Sequence, residues 1–317
     1  MNRNHGLLSL LLMALSVSAY AGDIGFPAPA WVTLKQEARV VAFPAGDVWE
    51  GGPAMLYDAV TPDGSTLVAT SPKTGRLFVF STATGKVIAT VRTGKAPKGV
   101  KITPDGREAW VSNEAGNEIA IVDLSSFRVV GKIATDEKPH NVRFSKDGKT
   151  AYVTLQGGAG IGVIDTAKRK LTRVIPVPGI TGPHNIDLSP DGRTAWVRDF
   201  VSSVAVVDLD RGEVKKVIKV GGGHAGIDVL PNGRYVVTGA IGDVKVSIID
   251  PQRMEVVKEV EVGPGPHGVR ASADSRWIYV TVTGANKVVV IDAQKLEIAR
   301  EIPVGKFPFW AAVVGNV

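Results

Sequence analysis

Residues 102–113 read Ile102-Thr103-Pro104-Asp105-Gly106-Arg107-Glu108-Ala109-Trp110-Val111-Ser112-Asn113: an apolar approach, a Pro-Asp-Gly turn and a short run of strand-forming residues. In such a turn Asp caps through its side chain and Gly supplies the positive φ, so the flanking segments return antiparallel. The triplet recurs as Pro62-Asp63-Gly64, Lys146-Asp147-Gly148, Pro190-Asp191-Gly192, Pro231-Asn232-Gly233 and, degraded, Ala273-Asp274-Ser275. Its third position repeats after 42, 42, 44, 41 and 42 residues. One more step from Ser275 reaches Val317 and one step back from Gly64 reaches Gly22, so residues 22–317 hold about seven periods. Periods of this length mark propellers and other repeat arrays.

Each period resolves into four short strands. In residues 94–135 they are 98–103, 108–112, 118–123 and 128–133, rich in β-branched residues and bounded by Asn, Asp, Gly and Pro. No segment carries a helical period of useful length. Four-stranded units repeated radially are the blades of a propeller, which leaves only short, protected edges. The predicted fold is therefore all-β: a seven-bladed β-propeller of four-stranded antiparallel blades. Closure is expected in the last blade, where residues 308–314 have first-strand character and residues 31–34 and 38–43 can supply outer strands. An eighth blade would need about 40 more residues.

Residues 1–21 have the form of a signal peptide: Arg3 at the start, an apolar core over residues 7–17, and Ala19-Tyr20-Ala21 as the cleavage site. Residues 22–317 are then a single propeller domain, expected in the periplasm of a bacterium or secreted, as a monomer without a transmembrane segment. The chain has no cysteine, which excludes disulfides, a thiol nucleophile and haem attachment through C-x-x-C-H. Its net charge of +6 falls to +5 once Arg3 is removed with the signal segment, and the basic residues are dispersed. That is a solvated surface rather than a nucleic-acid footprint.

The strand text carries a family resemblance. Ala109-Trp110-Val111-Ser112-Asn113, Ala151-Tyr152-Val153-Thr154 and Ile278-Tyr279-Val280-Thr281 are similar to the repeats of the YVTN-type β-propellers, as are Val122-Asp123, Ile164-Asp165, Val207-Asp208, Ile249-Asp250 and Ile291-Asp292. The likeness covers roughly residues 50–317. It implies the propeller fold, and as functions it implies binding platforms, surface-layer components or haem-binding domains such as the d1-haem propeller of cytochrome cd1 nitrite reductases. The chain lacks the cytochrome c domain of those enzymes.

One pattern exceeds what the fold needs. The residue after the proline that opens each inner strand is Lys98, His140, His184, His267 or Phe309, and His224 lies within one residue of the equivalent slot. Blade 1 offers Leu56 there. Every histidine outside the signal segment occupies this slot. Inner strands surround the axis, so these side chains are expected in a ring at one mouth of the channel. Neutral imidazole is a common metal ligand, and sets of two to four suit copper, zinc, iron or nickel. His140, His184, His224 and His267 are thus the candidate metal ligands. Alternatively, Pro-His is a favoured way to begin a blade and the imidazoles only hydrogen-bond the next loop. If they ligate, affinity is expected to fade near pH 6.5, where imidazole protonates.

The same rim is expected to carry Asn113, Glu114, Gln156, Arg198, Asp199, Asp243 and Asn286 from the turns between second and third strands. Trp49, Phe309 and Trp310 stand on the opposite arc, with Lys98 nearby. An aromatic and cationic arc facing histidines could hold a flat anion such as a haem, with Lys98, Arg198, Phe309 and Trp310 as cofactor-binding residues. Catalytic motifs are missing: no G-x-S-x-G, no P-loop, no H-E-x-x-H, and the Asp208/Asp210 pair is turn chemistry. The expected function is a non-enzymatic binding or scaffold propeller, holding a protein partner or small ligand on the axial rim. The alternative is a redox-associated protein binding a metal or haem iron through the histidine ring.

Overall fold

The computed structural model describes residues 29–315 except 136 and 159; the signal segment lies outside the described residues. The chain forms seven antiparallel sheets of four strands, and its only described helix is a single 3-10 turn at Glu114–Gly116. In blade 2 the strands are Pro97–Ile102, Glu108–Asn113, Glu118–Asp123 and Arg128–Ala134, close to the sequence expectation. The third strand is buried at all four central positions, because it is covered on both faces by neighbouring blades. The outer strand alternates between exposed and covered residues. Continuous apolar text such as Val288-Val289-Val290-Ile291 in a third strand and mixed text such as Arg128-Val129-Val130-Gly131-Lys132 in an outer strand therefore follow from radial position.

The turn triplets earn their recurrence by contacts within and between blades. Thr103 Oγ1 donates to Asp105 Oδ1 at 2.6 Å, and the Arg107 amide donates to the same oxygen at 3.1 Å. Gly106 has φ +75°, and a Cβ there would lie 3.2 Å from Pro62 of the preceding triplet. Pro104 stands in the same relation to Gly148, and Pro190 to Gly233. Ser275 occupies the left-handed position without being glycine (φ 60°), and its Oγ accepts the Asn232 amide at 2.9 Å. That bond to the preceding blade offsets the strain of a side chain at positive φ.

The ring closes as expected. Inner strand Pro308–Val313 pairs with Ala30–Leu34, with Ala30 opposite Val313 and Val32 opposite Ala311. Arg39–Phe43 and then Asp47–Glu50 complete that blade, so the N-terminal region contributes three strands. Among the described residues no helix is long and apolar enough to cross a membrane.

Candidate functional site

The inner strands begin at one mouth of the axis and end at the turn-triplet face. At the starting end the backbone is irregular in a repeated way. Ala96, Lys138 and Phe307 take positive φ (52°, 52° and 58°) just before the prolines, where Gly182 and Gly265 stand in blades 4 and 6. Asn117 and Asn286 secure this conformation, their Oδ1 atoms accepting the amides of Lys138 (2.9 Å) and Phe307 (3.0 Å). Pairing then skips: Pro139 faces Leu155, but the next pair is Val142 with Val153. The same break separates Pro266 from Val269. A bulge of this kind re-aims a side chain, and here it turns the histidines toward the axis.

The imidazoles form a contiguous arc. Ring centroids are 3.9 Å apart for His140 and His184, 4.7 Å for His184 and His224, and 5.3 Å for His224 and His267. His184, His224 and His267 each present a ring nitrogen within 4.8 Å of the others. Three nitrogens bound at about 2.0–2.1 Å to one ion lie roughly 3.3–3.6 Å apart, so the arc must close by about an ångström to hold one. His224, the half-buried member, is the least confined of the three.

Hydrogen bonds select the tautomers. His267 Nδ1 lies 3.0 Å from the Phe309 carbonyl, which can only accept, so Nδ1 donates and the buried Nε2 keeps its lone pair with no partner. His184 Nδ1 lies 3.2 Å from Gln156 Oε1, which places its proton on Nδ1 and leaves Nε2 as the acceptor, with Tyr57 Oη 3.5 Å away. Orientation of a ligating histidine by a carbonyl on its other nitrogen is the usual support for a metal site. His140 stands behind the other three: its Nε2 is 2.8 Å from Tyr57 Oη and its Nδ1 is buried without a partner. All four imidazole pKa values are lowered, by burial first; His224 falls to about 4 and His267 to about 3.

The residues expected to hold a flat cofactor are placed differently from one another. Lys98 is at the mouth, 3.4 Å from Glu114 Oε2. Phe309 stacks at 4.1 Å on His267. Trp310 is core, 1% exposed, packed at 4.5 Å on Tyr57 and covered by the Arg270 guanidinium at 5.0 Å. Arg198 does not reach the rim: it is fully buried, paired with Asp199 at 2.8 Å, and donates to the carbonyls of Ser203, Gly221 and Gly223. It latches the loop that carries His224. Trp49 is also removed from the mouth, lying 6.2 Å from Trp31 and from Phe80 among outer strands. Arg198 is thus engaged within the protein, and His140 stacks directly on His184. Replacing Arg198 with Met should cost about 3 kcal/mol or more, because Asp199 is left as a buried unpaired charge. Urea unfolding of the variant would measure this.

Two features escaped the sequence reading. Tyr57 reaches between His140 and His184 from one residue beyond the expected blade-1 slot. Five residues before the third position of the turn triplet lies a second ring of equivalent positions, Lys101, Arg143, Asp187, Asp228 and Arg270, with Asp58 one residue out of phase in blade 1. There Arg143 pairs with Asp187 at 2.8 Å and Arg270 with Asp228 at 2.7 Å. Both oxygens of Asp58 lack a partner, and burial raises its pKa well above the usual carboxylate range. The 42-residue beat carried this signal too.

Fold and mouth together define a seven-bladed propeller with a histidine-lined axis. The chain belongs to the family described as "Lactonase, 7-bladed beta-propeller", whose model matches residues 50–219. A second family model, "YNCE-like beta-propeller", matches residues 196–315. No curated protein matches the chain. Among solved structures it is similar to Kuenenia stuttgartiensis hydrazine synthase, at 22% identity and TM-score 0.75 over 83% of this chain and 90% of that one. It is also similar to the dihydro-haem d1 dehydrogenase NirN in complex with DHE (19%, TM-score 0.70, 91% and 76%). A third is a candidate 6-phosphogluconolactonase from Bacteroides uniformis (18%, TM-score 0.76, 90% and 99%). The expected likeness to d1-haem propellers is thus present in the fold, and identities of this order carry the fold alone.

Proposed function

We propose that this chain is an exported binding propeller whose ligand at the axial mouth is a transition-metal ion, held by His184, His224 and His267. The observation that carries the reading is the convergence of three imidazoles, two of them with Nε2 left unprotonated by a hydrogen bond on Nδ1. An all-nitrogen, thiol-free set of three suits zinc or copper and leaves a further position open. His140 and Tyr57 buttress His184 from behind. Bound metal would supply Lewis acidity at the mouth; the chain's own contribution is to hold neutral imidazoles in place, with buried Phe309 packed against His267.

The test is titration of zinc or copper(II) into metal-free protein, comparing the parent with His184→Ala and His267→Ala. Each variant should bind roughly 100-fold more weakly or worse, since losing even an outer-shell partner costs 10–100-fold. Equal affinity in parent and variants would reduce the arc to packing. Because burial holds these imidazoles neutral below their ordinary range, affinity at pH 5.5 should stay within about tenfold of that at pH 7.5. The fading near pH 6.5 expected from unperturbed imidazole should not occur. A panel of lactones run on the same variants tests the hydrolytic activity in the family's name: turnover lost in His267→Ala would make the site catalytic.

A further inference from the structure

The histidine arc is faced by two lysines. Lys98 fills the histidine slot of blade 2, and Lys35 follows strand Ala30–Leu34 of the closing blade. Lys35 Nζ lies 5.0 Å from the Phe307 ring and 5.6 Å from the Phe309 ring, and Phe309 in turn stacks on His267. Both ammonium groups act on the arc: Lys98 helps to lower the pKa values of His140 and His224, and Lys35 those of His224 and His267. They also act on each other, the Lys35 pKa being lowered by burial and then by Lys98. Glu114 answers Lys98 at 3.4 Å. Lys35 has no carboxylate within ion-pair distance among the described residues.

This charge pattern is unfavourable as it stands. Two like charges are held at the mouth against one carboxylate, and a divalent ion on the three neutral imidazoles would add two more positive charges. Partly desolvated like charges repel strongly, since the effective dielectric there is far below that of water. Three protein ligands also leave the ion a coordination position open. One occupant resolves both conditions: an anion that binds the ion with one oxygen and presents its remaining charge to the ammonium groups. Phe200 stacks on His224, Phe309 packs on His267 and Phe307 lies under Lys35, so the remaining neighbours of these groups are apolar.

We propose that the mouth is a composite site in which a small oxyanion, a short carboxylate or an inorganic oxyanion, completes the coordination of the histidine-bound ion and is held by Lys35 and Lys98. This rests on the metal reading above, and its test separates the two. The protein is loaded with cobalt(II), whose visible spectrum reports coordination number, and titrated with sodium acetate at constant ionic strength set by perchlorate. The parent should show a saturable spectral change. In the Lys35→Gln/Lys98→Gln variant acetate affinity should fall by about tenfold or more, while cobalt affinity stays the same or rises as repulsion is relieved. Melting curves on both proteins confirm an unchanged fold, which is expected because neither lysine is part of the core.

Cobalt bound with acetate affinity unchanged in the double variant would overturn the lysine assignment and leave the metal reading standing. Failure of the parent to bind cobalt would overturn both. Equal acetate affinity for metal-free and cobalt-loaded parent, measured by calorimetry, would show that the lysines hold anions alone and would overturn the composite site.

Discussion

A chain lacking residues 305–317 should show no cooperative melting transition and should associate into large species on gel filtration. The deletion removes strand Pro308–Val313, all six residues of which are buried. That strand is hydrogen-bonded to Ala30–Leu34, and it packs between the inner strands of blades 6 and 1. Losing a buried Phe or Trp side chain typically costs about 3–5 kcal/mol. Phe309 and Trp310 are lost together with the apolar burial of Ala311, Ala312 and Val313, and the sum is comparable with an entire stability of about 5–15 kcal/mol. The edge of Ala30–Leu34 would also be exposed, a template for pairing with another chain. A milder form of the test is Trp310→Ala, which keeps the strand and should lower the melting temperature by roughly 5–10 °C. A truncated protein melting with the parent would mean that the circle is fastened elsewhere.

The propeller was legible because its repeat lies in residues whose local chemistry is obligatory. Asp105 and Gly106 cap and turn with atoms of their own segment, so they read the same in isolation as in the ring. Even the degraded triplet followed the beat, although the bond from Asn232 to Ser275 that sustains it joins two blades. The histidine slot was legible for the same reason, since proline at fixed phase marks where each inner strand begins.

Depth and direction were not legible. Arg198 and Gln156 occupy comparable turns, yet Arg198 folds inward onto the carbonyls of the His224 loop whereas Gln156 meets His184 near the surface. Nothing in spacing distinguishes the two, because the choice depends on Asp199 being close enough to neutralise a buried guanidinium. Tyr57 was hidden by a slip of one residue where blade 1 begins, a blade whose inner strand is only Asp58–Val60. Lys35 was hidden by topology: it joins the mouth only because closure brings an N-terminal turn beside Phe307 and Phe309. The site is thus assembled from the repeat and from the one place where the repeat is broken.

Stability should fall steeply between pH 6.5 and 4.5, a range in which most proteins change little. His140, His184, His224 and His267 all titrate lower in the fold than the ordinary imidazole value near 6.5, with burial the leading cause. For a base whose folded pKa is depressed, the unfolded chain binds the extra proton. The stabilisation is therefore complete above pH 6.5 and drains away as pH falls toward the folded values, about 4 for His224 and about 3 for His267. Asp58 and Asp228 run in the other direction. Their carboxyls are raised, by burial first, so any proton they keep in the folded state offsets part of the loss. Four protons gained on unfolding against up to two released leave roughly two, or about 2.7 kcal/mol per pH unit. Over two units that is about 5 kcal/mol, much of a typical stability. Urea unfolding of metal-free protein at pH 7.0, 5.5 and 4.5 measures it as a falling midpoint at constant slope. His140→Gln, which removes one titrating group and retains an atom for Tyr57 to bond, should flatten the dependence by about one proton, ~1.4 kcal/mol per unit. A midpoint constant from pH 7.0 to 4.5 would mean that the imidazoles are solvated in the native protein, and the buried arc on which the metal site depends would be lost with it.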